Sequence, residues 1–410
     1  MDILARLDRD GDAFMHDEPV AALLRLLDQP AAALGSASAR RGVVRDPVDR
    51  TTQAVYRRQA EHFIGMLALP IGVAGPLRVH GQHAQGDYQV PLATTEPALV
   101  ASYTRGARLI TEAGGCNALL LDAGITRSPG FVFDGMHQAC GFVAWVRTVR
   151  RELELIVGTH SRHGRLIGID ASVEGNHVYL DLRFGTGGVA AQDEVTFATE
   201  ALCRHLLAHA PVRPRQHFMA ANHGGDKQTC ARSLSGVNGK RVAAEVTLPA
   251  ALVQRRLQVD AQSLCDYWRM AAIGGVLPGT IGVRGHYANG LAALYLACGQ
   301  DVACVAESAI GVTLLELDAR GDLYAAVTLP DIIVGTVGGG AGLPSQRACL
   351  ELLGLAGPGH ANALAEVCAA LALAGELSII GSICAHEFAA AHGSLARGRS
   401  VCGAPAGNAP

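Results

Sequence analysis

The chain has 410 residues, of which 49% are hydrophobic and 17% charged, and its formal net charge is −3. A length of this order allows about two to three domains with sizeable cores. The balanced charge gives no basic face for nucleic acid or for an anionic membrane surface.

The opening MDILARLDRDGDAF has no apolar stretch of signal-peptide length, and FIGMLALPIGVAGPL is broken by Pro70 and Pro76, too short and too broken for a membrane span. A soluble, cytoplasmic protein is expected. The eleven cysteines are scattered without a Cys-x-x-Cys pair, so they are expected as reduced thiols filling the core.

Residues 1–60 are expected to form an N-terminal helical segment, with an amphipathic helix between Pro19 and Pro30. From Glu61 the chain becomes rich in glycine and β-formers. Thr94-Thr95-Glu96-Pro97 predicts a helix start, a threonine cap followed by an acid and a proline, and the helix is expected to run to Gly114. Ala139 to Thr159 is expected as one long helix. RLIGID and HVYLDLRF flank Glu174-Gly175-Asn176 as a hairpin, and the apolar residues Val178, Leu180, Leu182 and Phe184 alternate with polar ones. DEVTFATEALCRHLLAHA then predicts a helix. The order helix–strand–strand–helix predicts a small ferredoxin-like α/β unit.

In the second half, KRVAAEVTLP and IGVTLLELDARGDLYAAVTLP predict strands, the latter a hairpin turning at Arg320-Gly321-Asp322. ANGLAALYLACGQD predicts a helix. Two further helices are expected from Ala361 and from about Leu377, ending near His392. The fold class expected is α/β of the α+β kind. A large mixed domain, 61–128 and 219–395, carries an inserted small nucleotide-binding domain, 129–218, and a disordered tail follows at 396–410.

Several polar residues stand out. Lys227 lies in the glycine-flanked loop ANHGGDKQTC, where it is either a solvated charge or a donor to an oxygen gaining negative charge. Glu96 either complements a helix dipole or serves as a general acid. Asp301 ends an apolar helix, where a carboxylate opposes the dipole unless a cation pairs with it. His392 caps a helix or donates a proton. HEFAAAH has its second histidine six residues after the first, where a zinc helix needs four, so no metal site is expected. Gly335 to Pro344, GTVGGGAGLP, follows the strand DIIV and suits close backbone approach to a ligand.

Together these motifs resemble the catalytic portion of the hydroxymethylglutaryl-CoA reductase family. EHFIGMLALPIGVAGPL, TTEPALVAS, GITRSP, GHYANGLAALYLACGQD and LPDIIVGTVGGGAGLPSQ match it in order, over about four-fifths of the chain. The resemblance implies an oxidoreductase of mevalonate and isoprenoid biosynthesis. Such an enzyme reduces an acyl-CoA with NADP(H) or NAD(H), through a hemithioacetal and an aldehyde, to an alcohol. It implies Glu96 as the acid, Lys227 as the oxyanion donor, Asp301 between them, and His392 as proton donor to the CoA thiolate. It assigns Arg127, Asp226, Gln228, Arg269, His286 and Asn289 to the substrate, and Glu61, His62, Ser102, Arg105 and Arg108 to CoA. Ser161, Arg162, Gly188, Asp193, Asn222, Thr336, Gly338 and Gly339 fall on the cofactor. It also implies a homodimer or higher homo-oligomer with shared sites.

The match departs from the family pattern in places. The nicotinamide motif D-A-M-G-x-N reads GVAAQD here, with Gly188 for the aspartate and Asp193 for the asparagine. Gln228 replaces the second lysine of D-K-K, Arg269 replaces another lysine, and His62 replaces an asparagine. A non-redox enzyme on the same scaffold, acting on an acyl thioester or carbonyl, is the alternative.

Overall fold

The computed structural model describes residues 55–63, 66–161, 164–185, 192–235 and 238–386, with the side chains of 192 and 193 excepted. The expected helices of 1–54, the tail, Arg162, Gly188 and His392 lie outside these residues, as does the Asp193 side chain.

The architecture is mixed α and β, as the sequence patterns predict. β1 (Ile71–Gly81) and β2 (Gln85–Ala93) form a hairpin, and the end of β1 pairs in parallel with β3 (Cys116–Arg127). β3 then pairs antiparallel with β8 (Gly239–Leu248), β8 with β10 (Leu323–Ile332), and β10 with β9 (Val312–Leu317). On β8 the buried residues alternate, Lys240, Val242, Ala244, Val246 and Leu248, because a pleated strand turns every second side chain to one face.

That face is covered by α10 (Ala361–Cys384), which also contacts α1 (Leu99–Glu112), α6 (Ala261–Val276) and α7 (Tyr287–Cys298). α10 is long and apolar enough to cross a membrane, but 83% of its apolar window is buried inside the protein. The sequence pattern suggested two helices here; one continuous helix forms, because Gly375 is spent on packing rather than on a break. Its missing side chain leaves room for the ring of fully buried Tyr103. Gly106 of α1 likewise lies against the Ala374 carbonyl, so the two helix backbones approach closely.

A second core gathers Phe131, Phe133, Phe142, Leu153, Val157, Leu180 and Leu206. Its strands are β4 (Gly130–Val132), β5 (Arg165–Glu174), β6 (His177–Gly185) and β7 (Gln216–Phe218), in the antiparallel order β7-β4-β6-β5. α2 (Met136–Thr148) and α3 (Arg150–His160) precede β5, and α4 (Gln192–His209) follows β6. The expected single helix over 139–159 is broken at Val149, which leaves helical geometry with ψ near 10°. The end of β3, Ile125 to Arg127, pairs with β6, so one strand joins both cores.

α5 (Ala250–Leu257) packs near α6 and α10, α8 (Val305–Ser308) follows α7, and α9 (Pro344–Leu352) packs on α7. Glu366, fully buried in α10, accepts hydrogen bonds from the backbone N–H of His83 and Ala84 at 2.8 and 2.7 Å. A buried carboxylate is tolerated when such donors surround it, and this one ties the β1–β2 turn to the central helix.

Candidate active site

Glu96, Lys227 and Asp301 lie at the two ends of α7. At its N-terminal end, Asn289 Nδ2 donates to Glu96 Oε2 at 2.7 Å. Glu96 does not stand in a helical first turn as the sequence suggests. Helix α1 begins at Leu99, after Ala98 in left-handed conformation, and Thr94 Oγ1 instead accepts from the Glu96 N–H at 2.9 Å. The acid is thus held on a loop ahead of the helix, facing a cavity of about 350 Å³ lined by Ser102, Trp268, Arg284, His286, Asn289 and Glu376, among others.

The chain before α7 is organised by Glu376, which is 1% exposed. Its carboxylate accepts from the N–H groups of Gly285 and His286 and, at 2.8 Å, from Thr313 Oγ1. Burial pushes this carboxyl above its ordinary range, and the donors hold it down in part. The His286 ring stacks on Tyr103 at 5.3 Å between centroids, and Tyr103 donates to the His286 carbonyl at 2.8 Å.

A groove beside Glu96 is lined by Arg105, Arg108 and Arg256, with a volume near 860 Å³. Arg105 donates to the Ser378 carbonyl at 2.6 Å, and Ser102 bonds Ser378 Oγ at 2.9 Å, which fixes both on the α1 face. Arg256 is tied to Glu112. Three guanidinium groups along one groove suit phosphate groups. Glu61 and His62 are exposed and do not line this groove. Arg269 turns to Asp266 on its own helix at 2.8 Å, away from the cavity wall.

At the other end of α7, Gly299 stops the helix in left-handed conformation. Asp301 therefore does not simply oppose the dipole. It caps the next turn, accepting from the Ala303 N–H at 3.0 Å, while its other oxygen meets Lys227 Nζ at 2.7 Å. The hydrogen bond to Asp301 raises the Lys227 pKa, and the bond from Lys227 lowers that of Asp301. Both side chains are about half exposed. The ammonium stays charged at neutral pH and reachable by a ligand.

Around this pair, Arg127 reaches Asp226 at 3.4 Å, and Asn238 Nδ2 donates to the other Asp226 oxygen. Gln228 donates to Asn222 Oδ1. Arg127, Asn222 and Asp226 line a cavity of about 230 Å³, and Asp301 lines a neighbouring cleft of about 510 Å³ with Lys240, Gln300, Gly338 and Gly339. Gly338 and Gly339 have φ of 75° and 50°, and nothing stands within 4 Å of where a Cβ would be, so bare backbone faces open space. Thr336 is buried, and its hydroxyl donates to the Gly357 carbonyl at 2.6 Å, so it braces the loop from behind. Ser161 donates to Glu194 at 2.7 Å. Among the described residues, no group of three or more His, Cys, Asp or Glu is arranged to hold a metal.

Within one chain, Glu96 and Lys227 are not brought together. Asn289, the partner of Glu96, lies near the start of α7, and Asp301, the partner of Lys227, lies beyond its end. The rise from Asn289 to Cys298 alone is about 14 Å at 1.5 Å per residue.

Sequence reasoning missed Glu307, Asp331, Glu376 and Lys240. Lys240 carried a signal, a lysine on the apolar face of an alternating strand. Its amine is buried and pushed down to about 8, donating to the Val334 carbonyl at 3.2 Å.

A paired ammonium and carboxylate beside a glycine-walled cleft, with a separate carboxylic acid and an arginine groove, suit an enzyme of carbonyl chemistry on an α+β scaffold. A family model for hydroxymethylglutaryl-coenzyme A reductase matches residues 39–397, and the chain belongs to that family of oxidoreductases. The 3-hydroxy-3-methylglutaryl-coenzyme A reductase of Methanothermobacter thermautotrophicus is 39% identical over 348 residues, 83% of this chain and 86% of that one. The reductase of Haloferax volcanii is 34% identical over 409 residues, covering 96% and 98%. A class II reductase from Streptococcus pneumoniae, solved bound to NADPH in open conformations, shares the fold with a TM-score of 0.64 at 19% identity, covering 82% of this chain and 93% of that one. Nicotinamide-dependent reduction of a CoA thioester is the reaction of the family.

Proposed function

We propose that this chain reduces 3-hydroxy-3-methylglutaryl-CoA, or a close acyl-CoA, to an alcohol in two hydride transfers through a hemithioacetal and an aldehyde. The observation that carries this reading is the Lys227–Asp301 pair at 2.7 Å on the rim of a glycine-walled cleft. A thioester or aldehyde carbonyl gains negative charge on oxygen as hydride adds, and a fixed ammonium stabilises it. Asp301 keeps Lys227 protonated. Glu96 is the proton donor to the aldehyde oxygen, with Asn289 orienting its carboxyl.

The cleft beside Gly338 and Gly339 fits a flat nicotinamide ring, because open backbone there leaves room for one. A reduced nicotinamide would supply the hydride in each transfer. The NADPH bound to the Streptococcus relative supports NADP(H), with NAD(H) the other donor to test. Arg105 and Arg108 would meet the CoA phosphates, and Arg127, Asp226, Gln228, His286 and Asn289 the acyl group. Gln228 lacks the charge of the lysine it replaces, which weakens a carboxylate contact by roughly 1.5–3 kcal/mol. His392 is proposed as proton donor to the departing CoA thiolate. Residues 129–218 are proposed as an inserted small domain around the second core.

The enzyme is proposed to act as a homodimer in which Glu96 of one subunit meets Lys227 of the other. Their separation along α7 supports this, as do Met270, Ile273, Val276 and Leu277, exposed apolar residues at the end of α6. A soluble, cytoplasmic setting belongs to the same proposal, supported by the burial of the apolar helix α10.

The direct test is loss of nicotinamide absorbance on mixing enzyme, acyl-CoA and NADPH or NADH. Acyl-CoA turnover without nicotinamide oxidation would select the non-redox alternative. Mixing inactive Glu96→Gln with inactive Lys227→Ala subunits should restore about a quarter of wild-type activity, because half of a random population is mixed and carries one intact site of two. No recovery after verified exchange would sink the shared site.

A further inference from the structure

The loop that carries Lys227 has an unusual turn. Gln228 N–H donates to the Gly225 carbonyl at 3.2 Å, closing a four-residue turn with Lys227 at its third position. Lys227 has φ of 55°, the left-handed region that favours glycine. A lysine stands where turn chemistry asks for glycine, and with its side chain about half exposed, burial does not hold it there. Something else must keep the turn in place.

The short segment after Asp301 supplies that hold. Glu307, on α8, is 1% exposed, and its Oε2 accepts the Lys227 backbone N–H at 2.9 Å. Thr229 Oγ1 donates to the Ala306 carbonyl at 2.8 Å, just beyond the turn. Asp301 holds the far end of the lysine at Nζ. One stretch of chain thus grips the same residue at its backbone and at its ammonium.

We propose that Glu307 is a positioning residue for Lys227: its carboxyl oxygen fixes the left-handed turn that aims the ammonium at the reacting carbonyl oxygen. This rests on the reading of Lys227 as the oxyanion donor. Burial, with Asp226 and Asp331 nearby, pushes the Glu307 carboxyl up to about 8, so at neutral pH it accepts this hydrogen bond as a neutral acid. The adjoining network is anchored in the core. Asn238 donates its side-chain amide to Asp226 and its backbone N–H to buried Asp331 at 3.0 Å.

The test compares Glu307→Gln, which keeps an acceptor oxygen, with Glu307→Met, which fills similar space without one. Glu307→Met should lower kcat by about tenfold to a hundredfold, the scale of a misplaced catalytic group, with KM for acyl-CoA within about twofold. Glu307→Gln should restore kcat to within about threefold of wild type, because the accepting oxygen remains. Wild-type kcat in Glu307→Met, or equal loss in both variants, would overturn the proposal. In Lys227→Ala enzyme, adding Glu307→Met should change kcat by less than about twofold, since the positioned group is gone. A larger further loss would show that Glu307 acts elsewhere. Normal activity in Lys227→Ala alone would remove the reading of Lys227 itself, an outcome distinct from inactive Lys227→Ala beside active Glu307→Met. Should Glu307→Met fail to fold, amide exchange in the wild-type protein decides. The Lys227 N–H is expected to be strongly protected although its loop is exposed, and free exchange would overturn the assignment.

Discussion

The two ends of α7 do different work with the same kinds of groups. At the N-terminal end, Glu376 is buried and shared among two backbone N–H groups and a threonine, and Glu96 is held by a neutral amide. At the C-terminal end, Lys227 and Asp301 form an exposed ion pair on loops. The helix dipole favours acids near its positive start; at its negative end it favours Lys227 and opposes Asp301, which the lysine offsets. Glu376 is buried in fixed geometry, whereas the Lys227–Asp301 pair presents a charge that a ligand can reach. Removing the buried Glu376 should therefore cost stability, and removing Lys227, turnover.

Glu376→Leu gives the largest expected effect. It removes the acceptor of the Gly285 and His286 N–H groups, leaves the Thr313 hydroxyl only Tyr287, and should cost about 3–5 kcal/mol of unfolding free energy in denaturant titration. A variant as stable as wild type would show that those donors find other partners. Lys227→Ala should do the converse. Turnover should drop by about a hundredfold or more, about 2.7 kcal/mol of barrier, with the melting temperature close to wild type. Asp301→Asn should follow it closely. A folded Lys227→Ala enzyme of near-normal activity would sink the mechanism.

Asn289→Ala sharpens the comparison from the acid side. It releases Glu96 without removing it, and turnover should fall by about tenfold while stability changes little. An effect as large as that of Lys227→Ala would mean that Asn289 contacts the reacting group directly.

The smallest effect is a pH dependence of stability. Burial pushes Glu307 up to about 8 and Asp331 up to about 7. Both keep a proton in the folded protein at pH values where the unfolded carboxyls, near 4, have lost theirs. The folded state then binds more protons, so this contribution is full below about pH 4 and is lost as pH rises to about 8. Asp301 has the opposite sign. Its lowered value favours the folded state above the unfolded pKa, and that contribution is lost on acidification. Denaturant midpoints measured from pH 5 to 8 should fall less steeply in Glu307→Gln than in wild type. Identical slopes would mean that Glu307 is ionised throughout.

Much of this was legible in the sequence. Val178, Leu180, Leu182 and Phe184 alternate in sequence and are all fully buried on β6. Gly175 and Gly321 mark hairpin turns, and both have positive φ where the strands reverse. Glu96 and Asp301 stand in long recognisable motifs and Lys227 in a glycine-flanked loop, so the sequence singles them out. The boundaries read less well. The cap signal at Thr94–Pro97 placed Glu96 inside a helix that begins only at Leu99, because Thr94 closes a turn of its own with the Glu96 N–H.

What the sequence determined by itself was the mixed α and β class, many of the strands and helices in their order, and the family. Those follow from local periodicity and contiguous motifs. Tertiary structure alone decided which groups meet. Glu376 finds the N–H groups of Gly285 and His286, and Glu307 finds that of Lys227, across long separations in the chain. A backbone amide looks the same in every residue but proline, so no sequence pattern marks which one a distant carboxyl will hold. The separation of Glu96 from Lys227 is likewise a matter of tertiary structure, because the length and placement of α7 set it.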